Sequence, residues 1–236
     1  MTHHPPRSLA HARDDIVVAV LCGGFGTRLG ELTRDVPKPM IEIGGRPYLE
    51  RVIESFAERG FYDFVLLTGY RGEVIEEHFG VGERFGVRIR YSHEHEPLGT
   101  GGAIREARSL LGERFLMTYA DVLRRFDYDR FVQQHRGHCL AVYPRILTGN
   151  VDLEGGRVVR FDKRAPELPY IDAGFSVMQA SAIDILPPAG PCSFEEIVFS
   201  GLAQHGELEG EVVNRDFFDI GTPEELARTR DTLEPV

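Results

Sequence analysis

The sequence predicts a doubly wound α/β fold, with a mainly parallel sheet, helices on both faces and an antiparallel extension in the second half. Three observations carry this. Uninterrupted apolar runs alternate with segments of helical spacing as far as residue 118, and the pattern shifts to strands and a hairpin after Asp121. The chain's 26 glycines and 14 prolines sit between the apolar runs as turn residues do, and are more than an all-helical protein would use.

Residues 16–22 are Val-rich and unbroken, which reads as a strand covered on both faces, and a glycine-rich turn follows at once. Between Pro47 and Arg59, the apolar residues Tyr48, Leu49, Val52, Ile53 and Phe56 paint one face of a helix. The alternation continues with a strand at 64–68, a helix at 72–79, a strand at 87–91, a helix at 101–111 and a strand at 114–118 that ends just before Asp121. In such sheets ligands bind beyond the carboxyl ends of the strands, where residues 23–28 and Asp121 both lie. The second half then offers a helix at 128–134, a strand at 139–143 and a hairpin over 151–161 turning at Gly155-Gly156. A strand at 170–178 precedes a helix at 193–204, capped by Ser193 with Glu196 three residues on. A last strand at 217–220 leads to a helix with Thr222 as cap and Pro223 in its first position. There is no internal repeat or low-complexity linker. With 236 residues and 42% hydrophobic content, one domain over residues 16–236 is expected behind a polar, disordered tail at 1–15.

A net charge of −10 argues against nucleic acid as a partner, because such binders concentrate Lys and Arg. No apolar stretch approaches a membrane span, and the first fifteen residues, with three histidines and two prolines, do not read as a signal peptide. A cytoplasmic protein with no membrane partner is expected. Cys22, Cys139 and Cys192 are odd in number, far apart and lack ligand spacing, so they read as reduced, partly buried thiols. His93 and His95 point the same way from an extended strand, as a metal-holding pair or simply as a strand end.

The segment that carries most chemistry is Leu21-Cys22-Gly23-Gly24-Phe25-Gly26-Thr27-Arg28-Leu29, with Pro37-Lys38-Pro39 downstream. Three glycines after a buried strand let backbone N–H groups approach a polyanion; Arg28 can hold phosphate oxygens bidentately and Lys38 supplies a point charge. A tight turn with two surface cations is the alternative. The spacing is neither the G-x-G-x-x-G of dinucleotide binders nor a P-loop.

Gly23 to Leu29 followed by Pro37-Lys38-Pro39-Met40 resembles the signature of the nucleotidyltransferases that activate sugar 1-phosphates, and the resemblance runs from Val17 to about Leu233. It implies the nucleotide-diphospho-sugar transferase fold, a Rossmann-like sheet with an antiparallel sugar-binding extension. It also implies an enzyme that moves a nucleoside monophosphate from a nucleoside triphosphate to a sugar 1-phosphate, with Mg2+ as cofactor and pyrophosphate as second product. By this resemblance Leu21, Gly23, Gly24, Gly26 and Thr27 bind nucleotide, and Arg28 and Lys38 are catalytic. The stretch 96–103 looks like the family segment along the base and ribose, which adds Leu98, Gly99 and Thr100. Asp121 is similar to the aspartate that ligates the catalytic magnesium, and Asp219 matches the second ligand. Asp162-Lys163 resembles the acidic-lysine pair that grips sugar hydroxyls and the sugar phosphate, and Asp172-Ala173-Gly174 the turn that borders the sugar, giving Asp172 and Gly174 as contacts. Relatives are often dimers or tetramers, so the resemblance leaves a homo-oligomer open.

The chain departs from the family pattern at Ala120, where glycine is usual, at Asp172, where asparagine is usual, and at Asp162, where glutamate is common. Its Pro97 to Gly102 segment and short length look most like heptose and mannose 1-phosphate guanylyltransferases, whereas Pro39 to Gly45 looks like glucose-1-phosphate cytidylyltransferases. GTP with a manno-configured hexose or heptose 1-phosphate is the leading expectation; a cytidylyl- or thymidylyltransferase acting on glucose 1-phosphate is the alternative. From another class, a catalytically silent regulatory homologue that binds sugar nucleotides is kept open by Ala120 and Asp172. For a glycosyltransferase the spacing of Asp127-Tyr128-Asp129 fits a D-x-D motif, but these residues open a helix rather than follow a central strand.

Overall fold

Strand β1 (Val17–Leu21) shows why the sheet is covered on both sides: Val18 and Val20 enter one core layer, Val17 and Ala19 the other. The computed structural model describes residues 16–24, 26–213 and 216–233, so the expected tail at 1–15 and Phe25 lie outside the described residues. A short ladder of β2 (Glu42–Ile43) and β3 (Arg46–Pro47) leads into α1 (Tyr48–Ala57), which buries the predicted apolar face. Then come β4 (Asp63–Thr68), α2 (Gly72–Phe79), β5 (Arg88–His93), α3 (Gly99–Glu106), α4 (Arg108–Leu111) and β6 (Arg114–Tyr119). The helix expected over 101–111 begins two residues earlier and breaks at Ala107. Its early start has a tertiary cause: the Glu94 carboxylate accepts from Leu98 N–H at 3.1 Å, and Cys192 O accepts from Gly101 N–H at 2.9 Å.

The second half runs through β7 (Val122–Arg124), α5 (Tyr128–Gln134), β8 (His138–Pro144), β9 (Val151–Glu154), β10 (Arg157–Phe161) and β11 (Tyr170–Gln179). The helix expected over 193–204 begins instead as a π-helical turn, Glu195–Phe199, before α6 (Ser200–Gln204). Then β12 (Leu208–Val212), β13 (Phe217–Asp219) and α7 (Pro223–Leu233) complete the described chain.

The nine-stranded sheet has the order β5-β4-β1-β6-β11-β8-β12-β10-β9. Strands β5, β4, β1 and β6 are parallel, β11 runs antiparallel to both β6 and β8, and the β9–β10 hairpin closes the far edge, as the fold class requires. From β1 the chain moves outward to β4 and β5 with α1 and α2 packed on one face; it then returns to β6 through α3 and α4 on the other. The direction therefore reverses between β1 and β6, and the crevice beyond their carboxyl ends is the ligand-binding position of a doubly wound sheet. A separate two-stranded ladder, β13 against β7, sets Asp219 opposite Val122, next to Asp121. Among the described residues no helix is long and apolar enough to cross a membrane.

Candidate active site

The crevice between β1 and β6 is a pocket of about 360 Å³ lined by Leu21, Gly23 and Gly24 from the first loop, Lys38, Gly99 and Thr100 from the start of α3, and Asp121 after β6. The structure thus gathers seven of the residues expected from sequence around one cavity. Of the residues expected to bind nucleotide or act in catalysis, four lie outside its lining: Gly26, Thr27 and Arg28, on and just before the short 3-10 turn that follows the loop, and Leu98 before α3. Arg28 is exposed at that turn.

Lys38 is 8% exposed, and its Nζ donates to Asp121 Oδ2 at 2.5 Å. Asp121 is fixed from both sides: Ala120 N–H donates to Leu21 O at 3.1 Å, and Ile220 N–H donates to Asp121 O at 3.2 Å. Ala120, the departure from glycine, is buried and contributes to the pocket wall. On the neighbouring strand Asp219 Oδ1 accepts from Gly221 N–H at 2.5 Å. Burial, then the charges of Asp121 and Glu225, push the Asp219 carboxyl up to about 6, against the pull of Lys38 and the Gly221 amide. Two neighbouring carboxyl groups, the charge of Asp121 acting on Asp219, with one ammonium bonded to Asp121, form a donor set that fits a hard divalent cation. Tyr48 ties this pair to α1, its hydroxyl donating to Phe218 O at 2.5 Å and accepting from Leu123 N–H at 3.1 Å.

The residues expected to meet the sugar lie on and near β11. Asp172 Oδ1 accepts from Gly174 N–H at 2.6 Å, an Asx turn within the β11 bulge, and Gly174 has φ +65°, a left-handed conformation only glycine adopts freely. The buried guanidinium of Arg124 lies against this turn and donates to Ala173 O. Burial pushes the Asp172 carboxyl up to about 6 despite the Gly174 amide and the Arg124 charge. Asp162 turns outward, accepting from Arg160 Nη2 and Arg164 N–H, each at 2.9 Å, and these bonds hold its carboxyl below the usual range. Lys163 turns the other way, donating to Glu195 Oε2 at 3.2 Å.

Three residues at the site were not singled out in the sequence. Glu94 lines the pocket with its carboxylate packed against Gly23 and Gly69, and burial raises its carboxyl above the ordinary value. Tyr119 lines the same pocket and donates its hydroxyl to Glu195, a 1% exposed carboxylate at the start of the π-helical turn. A strand position two residues before Asp121 marks Tyr119 as facing the same side as Asp121; nothing in the local sequence marks Glu94 or Glu195. The Cys22 thiol lines the pocket too, and burial, then Asp121, pushes it far up, so it is neutral. Elsewhere, pairing of β12 with β8 brings Cys139 and Glu209 within 4.8 Å of His135, a grouping that sequence spacing does not reveal. The rings of His93 and His95 stand 5.4 Å apart at the end of β5.

The nucleotidyl transferase family model matches residues 17–234, and the chain belongs to that family. It is 34% identical over 230 residues to the mannose-1-phosphate guanylyltransferase of Mycobacterium tuberculosis, covering 92% of this chain and 64% of that protein. It is 32% identical over 214 residues to the D-glycero-alpha-D-manno-heptose 1-phosphate guanylyltransferase of Campylobacter jejuni, covering 87% of this chain and 95% of that protein. Among solved structures, HddC from Yersinia pseudotuberculosis superposes with a TM-score of 0.78 at 26% identity, over 92% of this chain and 99% of the other. The chain therefore spans just under two thirds of the Mycobacterium relative and nearly the whole of the Campylobacter one.

Proposed function

We propose that the protein transfers the nucleoside monophosphate of a nucleoside triphosphate to a sugar 1-phosphate, giving an NDP-sugar and pyrophosphate, with GTP and a manno-configured hexose or heptose 1-phosphate as the pair. The observation that carries this is the convergence of Lys38, Asp121 and Asp219 beside a glycine-lined pocket at the reversal point of the sheet. Membership of the family and the two guanylyltransferase relatives support it.

In this reading a phosphate oxygen of the sugar 1-phosphate attacks the α-phosphorus, the bond to the β-phosphate breaks, and pyrophosphate leaves. The nucleophile is already anionic at neutral pH, so the protein needs no base; it must position and neutralise two groups that repel. Lys38, 8% exposed, supplies a preorganised positive charge at the α-phosphate. Lys163 receives the sugar phosphate, and Arg28, at the mouth, meets the leaving pyrophosphate. Asp121 and Asp219 would hold Mg2+, whose charge when bound draws both phosphates together. The neutral, buried Cys22 thiol is unsuited to covalent catalysis.

Glu94 favours guanine. Guanine presents two adjacent N–H donors on its pairing edge, N1 and N2, and the Glu94 carboxylate on the pocket wall can accept from them through Oε1 and the remaining lone pair of Oε2, which also accepts from Leu98 N–H. A cytosine or thymine edge lacks that donor pair. The substrates are intracellular metabolites, which accords with a cytoplasmic enzyme.

The test is magnesium-dependent pyrophosphate release with each of GTP, CTP, dTTP, UTP and ATP against mannose, glucose and D-glycero-D-manno-heptose 1-phosphates. Release with GTP and a manno-configured sugar is expected. Preference for CTP or dTTP with glucose 1-phosphate would overturn the substrate assignment, and silence with tight binding of a sugar nucleotide would mark a non-catalytic homologue.

A further inference from the structure

The sequence motifs do not single out Glu195, yet four side chains donate to its carboxylate. It is 1% exposed and opens the π-helical turn Glu195–Phe199, a backbone form that is rare and concentrates at functional positions. Three groups donate to Oε2: Thr100 Oγ1 at 2.7 Å, Ser193 Oγ at 2.6 Å and Lys163 Nζ at 3.2 Å. The Tyr119 hydroxyl donates to Oε1. Two of these partners, Thr100 and Tyr119, line the nucleotide pocket from α3 and the end of β6, while Lys163 follows β10. Burial alone would raise this carboxyl, but Lys163 and the hydrogen bonds from Ser193, Tyr119 and Thr100 bring it below the ordinary range, so it is an anion.

We propose that Glu195 is a positioning residue that fixes the Lys163 ammonium for the sugar 1-phosphate, an inference that rests on the reading above of Lys163 as the group that takes that phosphate. Lysine carries a point charge on a flexible four-carbon stem, and the Lys163 side chain is 42% exposed, so its place depends on a partner. The neighbouring Asp162 does not serve, because it is turned toward Arg160 and Arg164. Glu195 serves from a rigid place, its own orientation locked by three hydroxyls. At 3.2 Å the contact is longer than a tight charged hydrogen bond, and it uses one of the three ammonium donors. Two donors remain for phosphate oxygens. The carboxylate therefore aims the cation without consuming it.

The experiment measures dissociation constants by calorimetry for mannose 1-phosphate, GDP-mannose and GTP with wild type, Glu195→Gln, Lys163→Met and the double variant, alongside melting temperatures. Glu195→Gln is expected to weaken mannose 1-phosphate about tenfold while GTP changes by less than about twofold. Once Lys163 is Met, adding Glu195→Gln should cost less than about twofold more, because the two act through one contact. Glu195→Asp keeps the charge but falls a methylene short, and should reproduce the selective loss; it serves also if the Gln variant does not fold. In steady state the loss should fall on KM for the sugar phosphate more than on KM for the nucleotide. Equal losses in both Lys163 backgrounds, equal losses for GTP and the sugar phosphate, or an unaffected Asp variant would overturn the proposal. If wild type binds both sugar ligands but releases no pyrophosphate, the proposed reaction fails while the cycle still decides Glu195. If it binds neither, the assignment falls with the sugar site.

Discussion

Asp219→Asn should make the metal-free protein more stable at neutral pH while depriving it of its response to magnesium. The sign follows from the Asp219 carboxyl, raised by burial and by Asp121 from 3.8 to about 6. Between those values the folded protein binds a proton that the unfolded chain releases, so stability is greatest below 3.8, falls as pH rises, and is lowest above 6. At 1.36 kcal/mol per pH unit, the rise corresponds to a penalty of about 3 kcal/mol at neutral pH. A neutral amide escapes that penalty. For a chain of this size the melting temperature should rise by about 6 to 12 °C at pH 7.5 in EDTA, and the gap should close toward pH 4. Excess Mg2+ should raise wild type by a comparable amount, about 2.7 kcal/mol at a hundredfold excess over its dissociation constant, and leave the variant unmoved. Scanning calorimetry across pH, with and without metal, reads all of this. A variant no more stable than wild type at pH 7.5, or a gap independent of pH, would refute the reasoning.

Asp121→Asn should lower pyrophosphate release by about a thousandfold or more with an unchanged far-ultraviolet circular dichroism spectrum, since an amide is a poor ligand for a hard cation and a weaker partner for Lys38. Lys38→Ala should reduce kcat far more than it raises either KM; the reverse split would move Lys38 out of the transition state. Glu94→Gln should raise KM for GTP by about tenfold or more with little change in KM for the sugar phosphate, and an unchanged KM for GTP would remove Glu94 from base recognition. Tyr48→Phe leaves Leu123 N–H and Phe218 O without their hydroxyl partner, at a cost of about 1–3 kcal/mol, and should raise the magnesium concentration needed for half-maximal rate.

The first half of the fold was legible because each element obeyed its own periodicity: α2 falls on the predicted residues, 72–79, and β1 and β4 within one of theirs. What escaped was structure made by tertiary pairing. Strand β12, Leu208-Glu209-Gly210-Glu211-Val212, alternates only weakly because Gly210 stands between its two apolar residues; it is a strand because β8 lies alongside, with His135 bonded to both glutamates at 2.6 Å. Strand β7 is three residues long and forms only against β13. The site divides in the same way. Lys38, Asp121 and Asp219 were found from the family's motifs, and the structure brings the three together. Glu195 was seen only as part of a capped helix, because its meaning comes from Thr100, Tyr119 and Lys163, which arrive from three distant stretches of chain.

The ladder of β7 and β13 has a consequence for biosynthesis. It joins two carboxylates whose positions, 121 and 219, are far apart along the chain. The parallel core of β1, β4, β5 and β6 is complete once residue 119 has left the ribosome, and contacts within it can form early. A nascent chain halted before Asp219 would carry only one of the two acids, and one halted before Cys192 would also lack the carbonyl that fixes the start of α3. On the proposed reading, the pair of acids that would hold the metal is thus completed only late in translation.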